Sequence, residues 1–132
     1  MASTPSKIIT SLERIEFLEL FNNKKGGIII KFGAEWCGPC KKIDPLVHNL
    51  MEEMPDTITC VTIDIDNNFE LYALFKSKRL INGVPAIFGF RKENLSGIPD
   101  DVVVGADENQ IRILFQKYAN YGASYSSIVY TF

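Results

Sequence analysis

Trp36-Cys37-Gly38-Pro39-Cys40 sets two thiols at the spacing that closes a small disulfide ring. An apolar run at 28–32 stands just before the motif, and an amphipathic helical pattern follows it. The first cysteine therefore falls at a helix N-terminus, where the macrodipole and free backbone N–H groups stabilise a thiolate. The thiolate, not the thiol, is the nucleophile of disulfide exchange. These residues propose a dithiol that attacks other disulfides. A structural zinc site would need four ligands. Only Cys60 and His48 remain to complete it, unpaired and irregularly spaced, so no metal is expected. Cys60 lies in an apolar strand pattern and reads as a small buried hydrophobe, with a regulatory thiol as the alternative. His48 lies about three turns along the helix from Cys37, too far for a Cys–His dyad, and reads as a surface residue. Glu35, Lys41 and Lys42 read as solvated charges, which act weakly on a thiolate through water.

The elements that must position this pair follow from length and pattern. A chain of 132 residues, 46% hydrophobic and 23% charged, has the size and composition of one globular domain with a sizeable core. A formal charge of −2 gives no reason to expect nucleic acid or an acidic membrane as partner. The first nine residues lack the apolar core of a signal peptide, and the longest apolar run is too short to span a bilayer. A cytoplasmic protein in a reducing compartment is therefore expected. Three cysteines do not make a secreted disulfide framework.

Strand and helix patterns alternate, which predicts an α/β sheet covered on both faces. Ile8-Ile9 suggests a short edge strand. Residues 11–22 read as a helix capped by Ser11, with Leu12, Ile15, Leu18 and Phe21 as its stripe. Residues 28–32 read as a central strand, apolar on both faces. The long helix at 37–54 buries Ile43, Leu46, Val47, Leu50, Met51 and Met54, and Pro45 inside it should kink it. A strand at 58–65 and a short helix at 68–76 burying Leu71, Leu74 and Phe75 follow. Strands at 85–90 and 102–104 are joined by residues 91–97, which read as a hairpin connection. Asp107 caps the last helix, with Gln110 in the capping-box position and Ile111, Leu114, Phe115 and Tyr118 as its buried face.

Together these residues resemble the thioredoxin family. The resemblance rests on residues 34–41 (Ala-Glu-Trp-Cys-Gly-Pro-Cys-Lys), on Pro45 eight residues after Cys37, on Gly83-Val84-Pro85, and on Gly105-Ala106 before the last helix. It covers roughly residues 8–118. It implies a thioredoxin fold, a central mixed sheet of about five strands flanked on both faces by about four helices. It implies that Cys37 is the exposed nucleophile and that Cys40, more buried, resolves the mixed disulfide. Trp36, Gly38 and Pro39 would support the site. Pro85 would be the cis-proline facing the dithiol, presenting the Val84 backbone to an extended substrate, with Gly105 and Ala106 lining the same groove. Substrates would be protein disulfides. No bound cofactor would be needed beyond the Cys37–Cys40 disulfide, with electrons coming from NADPH through a flavin-containing thioredoxin reductase. The Gly-Pro middle pair favours a reductant over an oxidase or isomerase, which tend to carry histidine there. A thioredoxin-fold binding module in a larger assembly is the other alternative.

Two positions depart from the family pattern. Lys31 stands where relatives carry a buried acid, and Thr62 where they carry its lysine partner. A charged Lys31 would stabilise a Cys40 thiolate, and a buried neutral one could accept its proton. The plainer reading threads its stem past the helix and puts the ammonium in water. Gly33 replaces a second aromatic, which should open the floor of the site. Residues 119–132 form a tyrosine-rich extension beyond a domain at 1–118. Tyr118, Tyr121, Tyr125, Tyr130 and Phe132 mark it as a packed or frayed tail or a contact surface, and 129–132 have strand-like composition. A monomer or weak dimer is expected.

Overall fold

The computed structural model describes residues 6–130, with side chains described through Ala123. The elements run α1 (Arg14–Asn22), β1 (Gly27–Gly33), α2 (Gly38–Glu52), β2 (Ile58–Asp64), α3 (Phe69–Ser77), β3 (Ala86–Arg91), β4 (Asp101–Val104) and α4 (Glu108–Tyr130). One open sheet has the order β2-β1-β3-β4. β1 pairs parallel with β2, and the other two pairings are antiparallel. The sheet is mixed, as expected, with four strands rather than about five. Ile8-Ile9 supplies a single bridge from Ile9 to Val61 beside β2. Ile9 donates its N–H to the Cys60 carbonyl and accepts from the Thr62 N–H. The chain then leaves the sheet edge, and the Leu12 N–H donates to Asn68 Oδ1 at 3.0 Å.

β1 is buried along its whole length, so successive side chains feed two cores. Ile28, Ile30 and Phe32 face the core built with α1 and α3, where Phe17, Phe21, Phe75, Phe88 and Phe90 meet edge-on or tilted. Ile29 faces the opposite core with Ile43, Val47 and Met51 of α2 and Ile111, Leu114, Phe115 and Tyr118 of α4. Lys31 falls on this second face by the same alternation.

The first helix differs from the expected reading. It starts at Arg14, and Glu13, not Ser11, is its N-cap in a reciprocal box with Glu16. Its buried pair is Phe17 and Phe21, while Ile15 and Leu18 are exposed and Leu12 is buried ahead of the helix. α2 runs through Pro45 as one helix. The hairpin joining β3 and β4 is antiparallel, as expected. Its loop is shaped by Asn94, whose Oδ1 accepts the N–H groups of Ser96 and Gly97 and whose Nδ2 donates to Ile98 O and Asp100 Oδ2. The buried Lys24 ammonium donates to the Asn94 carbonyl at 2.6 Å. Asp107 Oδ1 accepts the Gln110 N–H at 3.2 Å, capping α4. α4 passes Tyr118 without a break and reaches Tyr130, so residues 129 and 130 are helical rather than strand-like, and 131–132 lie outside the described residues.

Candidate functional site

Cys37 is the N-cap of α2, and its Sγ accepts the Cys40 N–H at 3.2 Å. One helix-terminal donor is thereby aimed at the sulfur, which favours a negative charge there. Gly38 opens the helix and Pro39 sits in its first turn, where a missing N–H costs no helical bond. Cys37 and Cys40 form a disulfide with Cα atoms 5.3 Å apart. Cys37 is 4% exposed and Cys40 1%. The order of exposure follows expectation, but Cys37 is not an exposed residue here. Its sulfur is tied back to Cys40 and to the end of α2. Trp36 is 69% exposed and held by its indole N–H, which donates to Asp66 Oδ2 at 2.9 Å. Asp66, in the turn after β2, carries no signal in the sequence that would tie it to Trp36.

The Val84–Pro85 peptide is cis, and Pro85 is buried. Its carbonyl accepts the Gly105 N–H at 2.9 Å, which brings the start of β3 beside the end of β4. Gly105 has φ +93°, a conformation costly for any residue with a Cβ, and the space above its Cα is open. Val84 packs against the core cluster that contains both cysteines. Ala106 is half-buried beside Gly105.

Lys31 does not send its ammonium into open water. It is 8% exposed and makes an ion pair and hydrogen bond with Asp44, whose side chain is 49% exposed. Burial lowers the Lys31 pKa from its ordinary value. Thr62 lies directly beside Lys31 in the parallel register. Both line a cavity of about 190 Å³, together with Ala34, Cys40, Asp44 and Asp64. A Cβ built on Gly33 would lie 3.5 Å from Lys31 Cε and 3.6 Å from Cys40 Sγ, so both side chains pass close to Gly33. Asp44 escaped the sequence reading, although it stands four residues after Cys40 and so on the same face of α2. Cys60 is buried and free, with burial pushing its thiol up to about 12. His48 faces Glu52 at 3.8 Å on the surface of α2. Among the described residues no cluster of three or more His, Cys, Asp or Glu could hold a metal ion, and no helix is long and apolar enough to cross a membrane.

Comparison with known proteins agrees with this geometry. The chain is 33% identical over 103 residues to an H-type thioredoxin of Ricinus communis, covering 78% of this chain and 80% of the relative. It is 46% identical over 46 residues to the thioredoxin of Bacillus subtilis (strain 168), covering 35% of this chain and 44% of that one. Several relatives are thus spanned over less than half their length. The solved structure of Trichomonas vaginalis thioredoxin superposes with a TM-score of 0.71 at 23% identity, covering 86% of this chain and 99% of that chain, which speaks for the fold. The model of the thioredoxin family matches residues 8–117. With the Cys37–Cys40 disulfide at the start of α2, the chain belongs to the thioredoxin family.

Proposed function

We propose that the protein reduces protein disulfides. The Cys37 thiolate attacks one sulfur of a target disulfide, and the other target sulfur leaves with the electron pair. Cys40 then attacks Cys37 Sγ, the mixed disulfide breaks, and the target departs with both cysteines reduced while Cys37–Cys40 is oxidised. Val84, Pro85, Gly105 and Ala106 form the groove for an extended target segment, with Trp36 at its side. A backbone-pairing mode fits the bare Gly105 surface. The redox group is the dithiol itself, recharged by NADPH through a thioredoxin reductase. The working compartment is the cytoplasm, and the protein acts as a monomer or weak dimer. Residues 1–118 carry the activity and 119–132 are an appendage to it.

The observation that carries this reading is the disulfide at the N-terminus of α2, with the Cys40 N–H already aimed at Cys37 Sγ. The Gly-Pro pair between the cysteines favours a reductant. The test is turnover of a disulfide-bonded protein such as insulin with dithiothreitol as electron source. Cys37→Ser abolishes turnover, and Cys40→Ser accumulates a covalent mixed disulfide. Equilibration with glutathione fixes direction, since each 30 mV is about 1.4 kcal/mol for this couple. A potential well above the cytosolic glutathione poise would move the protein to the oxidase or isomerase class. Full biological activity of a chain lacking both cysteines would make it a binding module.

A further inference from the structure

Resolution of the mixed disulfide requires the Cys40 thiol to lose a proton, and Cys40 is almost completely buried. Burial resists that ionisation. A base must therefore reach the buried side of Cys40. Three carboxylates line the cavity beside it: Glu35, Asp44 and Asp64. Glu35 is exposed and lies 4.0 Å from the Lys41 ammonium. Asp64 Oδ1 accepts the Asp66 N–H at 2.9 Å and so shapes the turn after β2. Asp44 alone stands one helical turn from Cys40 on the same helix face, half open to solvent, with Lys31 fixing it from β1.

We infer that Asp44 is the proton acceptor for Cys40, and that Lys31 is the positioning residue that holds its carboxylate over the cavity. This rests on the disulfide-reductase reading above. In the resolving step the Cys40 proton crosses the cavity to Asp44, and the Cys40–Cys37 bond forms. The bond from Cys37 to the target sulfur breaks, and the target thiolate leaves with its electron pair. Asp44 then releases the proton to bulk water from its exposed side. A cavity of about 190 Å³ with this polar lining has room for the water that carries the proton. Lys31 passes Gly33 beside Cys40 on its way to Asp44, and its ammonium favours the thiolate by Coulomb attraction. The charges facing Asp44 and Cys40 are Lys31 from β1, Asp64 from the end of β2, and Glu35 and Lys41 from the loop and start of α2.

A single-turnover reaction of the reduced protein with a dithiobis-nitrobenzoate disulfide separates the steps. The first coloured thiolate reports Cys37 attack, and the second reports resolution by Cys40. Asp44→Asn leaves the first phase unchanged and slows the second about tenfold or more at neutral pH. The loss disappears as pH rises toward the thiol's own ionisation. Asp44→Glu restores the second phase. Asp44→Asn strands the Lys31 ammonium, so the double variant Lys31→Met/Asp44→Asn removes both charges, and it keeps the slow second phase. Three results would overturn the assignment: a second phase with wild-type rate and pH profile in Asp44→Asn, the same loss in Asp64→Asn, or recovery in the double variant. Absence of the first phase in the wild type would instead refute the disulfide-reductase reading.

Discussion

Cys60 makes the stability of the molecule pH-dependent. Burial between β2, to which it belongs, and α2 raises its thiol pKa from 9.0 to about 12. Between those values the folded chain keeps a proton that the unfolded chain has released, so stability falls as pH rises through the window. The contribution is fully present below pH 9 and is worth as much as about 4 kcal/mol across it. Tyr118, buried and hydrogen-bonded to Asp101, is raised as well and acts with the same sign above its ordinary value. Lys31 is lowered and acts with the opposite sign up to its ordinary 10.5. Cys60→Ala isolates the thiol: urea unfolding at pH 8 and at higher pH gives a smaller alkaline loss for the variant than for wild type. Phe75 is the hub of the other core, with rings of Phe17, Phe32, Phe88 and Phe90 about it. Phe75→Ala costs about 3–5 kcal/mol by the same unfolding assay. At this scale the dithiol was legible because Cys-Gly-Pro-Cys needs no partner to be read. The two ion-paired or hydrogen-bonded carboxylates were not, since Asp44 and Asp66 acquire meaning only when β1, α2 and the turn after β2 come together.

α4 is seated through two glycines, Gly89 of β3 beneath it and its own Gly122. A Cβ on Gly89 would lie 2.5 Å from the Tyr118 ring, and one on Gly122 2.8 Å from Thr57 Oγ1. Gly89→Ala therefore forces Tyr118 away from Asp101 and costs about 1–3 kcal/mol, read as a lower midpoint in thermal unfolding. Helices were legible from their stripes except for α1. There the expected stripe of Leu12, Ile15, Leu18 and Phe21 and a stripe of Phe17 and Phe21 both fit helical spacing, and only the second is the buried face of the helix. The choice between them depends on where the helix starts, and Glu13 with Glu16 closes a cap that Ser11 was expected to form. The sheet core was legible in β1 because a run apolar on both faces must be central. The fifth strand failed because Ile8-Ile9 makes one bridge and then turns toward Asn68.

At the scale of the whole molecule, one sheet separates two cores, and α4 continues past the segment matched by the family model at residues 8–117. Tyr121 on that continuation meets Tyr118 edge-on at 5.3 Å and holds the Arg91 guanidinium over its ring at 4.6 Å. A chain ending at Ala119 loses these contacts and the Gly122 seat, so it unfolds at lower temperature than the full chain. Light scattering on both chains decides what else the extension does. Self-association that depends on concentration in the full chain and vanishes in the short one assigns it to the extension, and equal mass per particle removes that role. The overall architecture was legible because alternation of element types leaves few topologies; the union of extension and helix was not, since tyrosine-rich composition fits a tail as well as a helix face.

The hairpin loop has a use of a different kind. Its shape is set from within by the Asn94 side chain and from below by Lys24, while Leu95 and Ile98 point outward, Leu95 at 89% exposure. The loop behaves as a socket with a fixed base and an interchangeable top. Foreign side chains placed at positions 95 and 98 would be displayed on a rigid frame whose base hydrogen bonds do not involve them, which makes this hairpin a graft position for recognition peptides.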